Sequence, residues 1–305
     1  MSIAVVFPGQ GSQEPRAGAA WADHPAWSLV PRATAATGGD LAHLLLDAAA
    51  DELRSTRAAQ LSVLAASLVA WEALRPSLEG QPVVGFAGHS LGQVTALIAA
   101  GAVDEAAGLR FAAARADATQ AANDATPGRM VAFLGATEDQ AREACAAAPD
   151  EAWIANLNAP GQVVVAGTPD GVDAAATRAP DVGVRRVRPL EVGGAFHTPL
   201  MAPAAAALQP VLATTTFAPT AVPVVTNHDA RPHADGLGWP EMLATHLTAP
   251  VRWADSVLAL ADLGATTFLE VGPGTTLAGL IRRIVPDAEI RSIGSPADLP
   301  AAALR

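Results

Sequence analysis

Between residues 83 and 102 the chain passes from the unbroken apolar run Val83-Val84-Gly85-Phe86-Ala87, through Gly88-His89-Ser90-Leu91-Gly92, into a second apolar stretch at 94–102. A short run with no polar face reads as a buried strand and the longer stretch as a helix, so the glycine-bracketed pentapeptide between them is a sharp strand-to-helix turn. The preceding residues repeat the theme. Ile3–Phe7 is another short buried strand, and Leu61, Leu64, Leu68 and Trp71 recur at spacings of three and four, marking a helix with one apolar stripe. Strand and helix thus alternate through the first 120 residues, the pattern of an α/β layer fold.

From 128 to 190 the order changes. A strand is expected at 130–134, a helix at 138–148 and a strand at 152–157, which the turn Asn158-Ala159-Pro160-Gly161 joins as a hairpin to a strand at 162–166. A helix at 169–178 and a strand at 182–190 complete the series β-α-β-β-α-β, a ferredoxin-like unit small enough to be an insertion. The larger pattern then resumes with a strand at 222–226, a helix at 251–263, a strand at 267–271 and a helix from Thr275. The expected organisation is a discontinuous large domain, 1–126 and 192–305, interrupted by a small subdomain at 127–191. The last dozen residues, rich in Pro and Ala, read as a loose tail.

Composition removes several function classes. With 305 residues, half of them hydrophobic and 16% charged, the chain can bury a sizeable core and is far from a disordered composition. A net charge of -11 disfavours wrapping nucleic acid, which needs basic groups on phosphates. All 19 basic residues are arginine, so Schiff-base chemistry is excluded. The single cysteine, Cys145, excludes an internal disulfide and a multi-thiolate metal site, and its Ala-rich setting reads as inert packing. No stretch approaches the roughly 20 uninterrupted apolar residues of a membrane span, and no basic leader precedes Ile3, so no membrane helix and a cytoplasmic protein are expected.

Gly88-His89-Ser90-Leu91-Gly92 fits G-x-S-x-G, the nucleophile elbow. Its glycines permit a strained turn that lifts the serine hydroxyl clear of a sheet, over the positive end of the following helix, where the Leu91 N–H can meet an oxyanion. A serine nucleophile needs a base, and seven histidines compete. His24 and His43 lie in loop-like sequence, and His228 and His233 in a segment rich in Asn, Asp and Pro that reads as solvated. His197 ends Gly193-Gly194-Ala195-Phe196, where the chain re-enters the large domain, a usual place for a cleft. By position alone His197 leads and His246 follows.

Five segments carry a resemblance: Phe7-Pro8-Gly9-Gln10-Gly11-Ser12-Gln13, the elbow, Asn156-Leu157-Asn158-Ala159-Pro160-Gly161-Gln162, Gly194-Ala195-Phe196-His197-Thr198-Pro199-Leu200-Met201 and Glu270-Val271-Gly272-Pro273-Gly274. In this order they resemble the motifs of the malonyl-CoA:acyl-carrier-protein transacylases and of the acyltransferase domains of polyketide synthases. The resemblance implies an α/β-hydrolase-like core with an inserted ferredoxin-like subdomain, as the element order also does. It makes Ser90 the nucleophile, His197 its base, and the N–H groups of Gln10 and Leu91 the oxyanion hole. His89, Asn158, Phe196 and His246 become substrate-site residues. Arg115, 25 residues after Ser90 on a helix expected at 109–122, becomes the group that grips the free carboxylate of the acyl substrate.

The sequence departs from the family pattern at four positions. His246 stands where the family has a glutamine whose carbonyl orients the base; Gln93 replaces a glutamate, Thr198 a serine, and Ala116 the glycine after the arginine. The implied reaction is ping-pong transfer of malonyl from coenzyme A to the phosphopantetheine thiol of an acyl carrier protein, by a monomer, with the thioester as substrate and no metal or cofactor. Open alternatives are another acyl group on a polyketide assembly line, a malonate decarboxylase transacylase subunit, or an editing thioesterase. A phenylalanine before the base, here Phe196, accompanies malonyl over methylmalonyl selectivity in the family. Arg185, Arg186 and Arg188 on the last strand of the small subdomain are candidates for docking an acidic carrier protein.

Overall fold

The computed structural model describes residues 2–299. Its elements in chain order are β1 (Ile3–Phe7), α1 (Leu29–Thr37), α2 (Leu41–Leu46), α3 (Thr56–Leu74), β2 (Val83–Gly88), α4 (Gly92–Ala99), α5 (Glu105–Ala125), β3 (Arg129–Leu134), α6 (Glu138–Cys145), β4 (Ala152–Ala159), β5 (Gln162–Gly167), α7 (Pro169–Arg178), β6 (Arg186–Pro189), α8 (Ala202–Thr214), β7 (Val224–Val225), β8 (Pro232–His233), α9 (Trp239–His246), α10 (Trp253–Asp262), β9 (Thr267–Val271), α11 (Thr276–Ile284) and β10 (Glu289–Ile293). The alternation expected of an α/β fold is present.

Two sheets result. The larger runs β10-β9-β1-β2-β7-β8 and is parallel except for β8. Alternate residues of β1 face opposite layers, Ile3, Val5 and Phe7 towards one buried cluster and Ala4 and Val6 towards another, which explains a strand with no polar face. The first layer holds α3, α4 and α5. The second holds α10 and α11 through Trp253, Val257, Leu260, Leu277 and Ile281. The smaller sheet runs β4-β5-β3-β6, antiparallel throughout, with α6 and α7 packed on one face through Ala141, Ala144, Val172 and Ala175.

Several expectations need correction. Helix α3 does not bury one stripe; nearly every residue from Thr56 to Leu74 is buried, because α1, α2, α4 and α5 surround it. Thr56–Leu78 is also the helical stretch among the described residues long and apolar enough to cross a membrane, and most of it is buried inside the protein. The strand expected at 182–190 shrinks to β6, since α7 runs on through a 3-10 turn, Ala179–Val182, that Gly183 ends in the left-handed region. The strand expected at 222–226 shrinks to β7. Of the loose tail, residues 300–305 lie outside the described residues, but Pro296–Asp298 is a 3-10 turn closed by a Ser295–Asp298 capping box, and Leu299 packs on the core. His24 caps a 3-10 turn, His43 belongs to α2, and His228 and His233 are half-buried rather than solvated.

Candidate active site

The turn between β2 and α4 is as tight as its glycines imply. A Cβ on Gly88 would fall 1.9 Å from the Gly92 carbonyl, and one on Gly92 would fall 2.1 Å from the Phe7 carbonyl oxygen. Only glycine lets the elbow close against itself and against the end of β1. Ser90 is held at φ 52, a conformation that a side chain rarely adopts and that other contacts must enforce.

Residues from three other regions converge on Ser90. Its Oγ–H donates to His197 Nε2 at 2.7 Å, and Arg115 Nη2, from the middle of α5, donates to the same oxygen at 3.0 Å. His197 is itself in the left-handed region, φ 61, on the segment returning from the small sheet. Its Nδ1–H donates to the carbonyl of His246 at 2.8 Å, which fixes the tautomer that leaves Nε2 free to accept a proton. His246 thus contributes its backbone. Its ring lies behind the base, 5.0 Å between centroids, and is not on the cavity wall, which corrects its expected place among substrate-contacting side chains. The other candidate base is therefore the support of the first.

The electrostatics follow from burial. His197 is 3% exposed, and desolvation, reinforced by the Arg115 charge, lowers its pKa to about 3, so it is a neutral imidazole at ordinary pH. Desolvation also lowers His89, against its bond to Asn158, and holds His246 well below the usual imidazole value. Burial lowers Arg115 to about 10, which still leaves it charged near neutrality. Among the described residues no carboxylate pairs with Arg115; Gln60 Oε1 accepts from its Nη1 at 2.5 Å. Three neutral imidazoles and one desolvated guanidinium leave the site a single uncompensated positive charge, a setting that calls for one anion.

A cavity of about 500 Å³ opens beside these groups. Its wall includes Gln10, His89, Ser90, Arg115, Asn158, Phe196 and His197, so seven of the sequence candidates face one space. Asn158 reaches it at a register shift in β4 between Leu157 and Ala159, a bulge that re-aims the side chain, and its Oδ1 accepts from His89 Nε2 at 2.9 Å. The loop carrying Gln10 lies on the elbow: a Cβ on Gly9 would meet the His89 carbonyl oxygen at 2.3 Å. Neither Gln10 N–H nor Leu91 N–H has a protein acceptor among the described residues. The arrangement can activate a hydroxyl, hold an anionic oxygen on backbone N–H groups, and bind a carboxylate next to the reacting carbon.

Some members of the site were not foreseen. Gln60, on α3, orients Arg115; Asn227, just after β7, binds the Ser90 N–H; and Gln93 binds Asn227. A single side-chain amide among the alanines and leucines of α3 was the one local signal for Gln60. Arg185, Arg186 and Arg188 are exposed and do not line the cavity, and Arg185 precedes β6 instead of belonging to it.

The acyl transferase domain family model matches residues 4–295. A malonyl CoA-acyl carrier protein transacylase of Salmonella typhimurium is 36% identical over 304 residues, covering 98% of each chain. A malonyl-CoA:acyl carrier protein transacylase structure from Xanthomonas oryzae pv. oryzae superposes with a TM-score of 0.91 at 37% identity, covering 98% of this chain and 97% of that one. A malonyl-transacylase solved in complex with a type II polyketide-synthase acyl-carrier protein superposes at 0.93 with 32% identity, covering 99% of each.

Proposed function

This chain belongs to the acyl transferase domain family, and from that premise we propose that it is a malonyl-CoA:acyl-carrier-protein transacylase acting through a malonyl ester on Ser90. One observation carries the choice of acyl group: the buried guanidinium of Arg115 has no carboxylate partner in the described chain and donates to the oxygen of Ser90. The carboxylate of a malonyl group would complete that pair by a bidentate contact while its thioester carbonyl lies over Oγ.

His197 Nε2 takes the Ser90 proton as Oγ bonds to the thioester carbonyl carbon. The N–H groups of Gln10 and Leu91 hold the oxyanion; the C–S bond breaks, and His197 returns the proton to the coenzyme A sulfur. The thiol of the carrier-protein phosphopantetheine then gives its proton to His197, attacks the ester, and Ser90 recovers the proton as it leaves. Because a backbone carbonyl orients His197, this is a serine-histidine dyad. Every step uses the chain's own groups, with coenzyme A entering as part of the substrate.

We read residues 1–126 and 192–305 as an α/β-hydrolase-like domain and 127–191 as a ferredoxin-like subdomain, supported by the parallel sheet with its elbow after β2 and by the order β4-β5-β3-β6 of the small sheet. The same register supports docking of an acidic carrier protein on this subdomain. Arg186 and Arg188 pair with Leu134 and Ala132, which share the face turned to the cavity, whereas Val187 pairs with Phe133 on the helix-covered face. Arg185 lies against Gly135, Gly135 against Gly161, and Gly161 in turn against the guanidinium of Arg283, so α11 adds a basic group to the patch.

Intact mass spectrometry after mixing with malonyl-CoA tests the reading. Wild-type protein should carry one malonyl adduct and Ser90→Ala none; an adduct persisting on the variant would remove the mechanism.

A further inference from the structure

Three residues close a hydrogen-bonded ring behind the nucleophile. Ser90 N–H donates to Asn227 Oδ1 at 2.8 Å, Asn227 N–H donates to Gln93 Oε1 at 2.7 Å, and Gln93 N–H donates to the Ser90 carbonyl at 3.1 Å. The ring joins the elbow and the first turn of α4 to the end of β7. Gln93 and Asn227 are fully buried, and each spends its amide oxygen on the ring while its nitrogen, Nε2 or Nδ2, has no partner among the described residues. A buried amide N–H without a protein partner is unfavourable, so the placement of these two amides answers to their oxygens. What they hold is the one non-glycine residue of the elbow in the left-handed region.

Asn227 is itself anchored. Its carbonyl accepts from Arg252 N–H at 3.0 Å, and the preceding Thr226 carbonyl accepts from Ser256 Oγ at 3.2 Å, tying this segment to α10. The oxygen that meets Ser90 therefore comes from a rigid place.

We propose that Asn227 is a positioning residue for Ser90: its side-chain oxygen, aimed by Gln93, holds the elbow in the strained conformation that places Oγ between His197 and Arg115. Occupying the Ser90 N–H also leaves Leu91 and Gln10 as the donors offered to an oxyanion. The inference rests on Ser90 being the nucleophile, and deepens that reading.

Two reactions at Ser90 separate the claims: malonylation by malonyl-CoA, and phosphonylation by an alkyl fluorophosphonate, which needs an activated serine but no recognition of a carboxylate. Asn227→Ala should slow both by a common factor of about ten to a hundred, as expected for a misplaced nucleophile. The KM for malonyl-CoA should stay within about twofold, because substrate contacts are untouched. Asn227→Asp, which keeps an oxygen at the same place, should recover most of the rate. Gln93→Leu, which removes only the group aiming Asn227, should slow both reactions in the same direction and decides the matter if Asn227→Ala does not fold. Wild-type rates in Asn227→Ala, a folded Asn227→Asp as slow as the alanine variant, or a loss confined to KM would each overturn the proposal. A wild-type protein phosphonylated but not malonylated would sink the malonyl reading alone, and the fluorophosphonate comparison would still judge Asn227.

Discussion

Replacing Arg115 with alanine is the perturbation that most directly separates a recognition group from a structural one. The guanidinium is 3% exposed and donates to Ser90 Oγ at 3.0 Å and to Gln60 at 2.5 Å. A carboxylate accepting two charge-assisted bonds there gains about 1.5 to 3 kcal/mol from each, so malonyl transfer should lose about 3 to 6 kcal/mol of transition-state stabilisation. An acetyl group has no such oxygens. Its reaction loses only the shared bond to Ser90 Oγ, about 1 kcal/mol. At 1.4 kcal/mol per factor of ten, the difference of about 2 to 5 kcal/mol should lower the malonyl-to-acetyl ratio of kcat/KM by about one and a half to three and a half orders of magnitude. Single-turnover acylation with each thioester, read by intact mass, supplies the ratio. A thermal melt checks that the orphaned Gln60 has not unfolded the site. Equal losses for the two thioesters would refute the argument and leave Arg115 a structural residue.

Phe196, buried on the cavity wall beside His197, should set the choice at the α-carbon: Phe196→Ser should relax discrimination against methylmalonyl-CoA by about tenfold to a hundredfold, and unchanged selectivity would show that the ring only packs the core. Reversing Arg185 and Arg186 to glutamate should raise the KM for the carrier protein and flatten its salt dependence while acylation by malonyl-CoA stays as it was; an unaltered KM would place the dock elsewhere. Because His197 is lowered to about 3, the acid limb of kcat/KM for malonyl-CoA should lie well below the 6.5 of an ordinary imidazole, and a limb at 6.5 would contradict the buried, Arg115-facing base. The same shift acts on stability. Between about pH 3 and 6.5 the unfolded chain binds a proton at His197 that the folded chain refuses, so stability is full above 6.5 and falls towards acid by about 1.4 kcal/mol per pH unit; melting temperatures that hold level from neutrality to pH 4 would count against it.

What could be read from the residues alone was whatever announces itself within a few positions. Ile3–Phe7 and Thr267–Val271 are wholly apolar but for Thr267 and Glu270 because helices cover both faces of their sheet, and Pro169–Arg178 shows its Thr168 cap and its apolar period in one turn of sequence. The elbow is legible for the same reason, since all its constraints fall on Gly88 to Gly92. Helix α8 was not, because its buried Ala204, Leu208 and Leu212 are set among other alanines and two prolines that blur the stripe. The support of the site was hidden by distance: Gln60 and Arg115 are 55 residues apart, and Asn227 and Ser90 are 137 apart. Nothing local distinguishes an amide that aims a nucleophile from one that faces water. The two histidines show where local reading ends. His197 and His246 differ little as residues, and only folding decides that one presents Nε2 to Ser90 while the other turns a carbonyl to the base and buries its ring. A carbonyl can come from any residue, so at position 246 the side chain is the part that the hydrogen bond to His197 does not use. Ser90 and His197, whose own side chains meet and whose backbones are both strained into the left-handed region, have no such freedom.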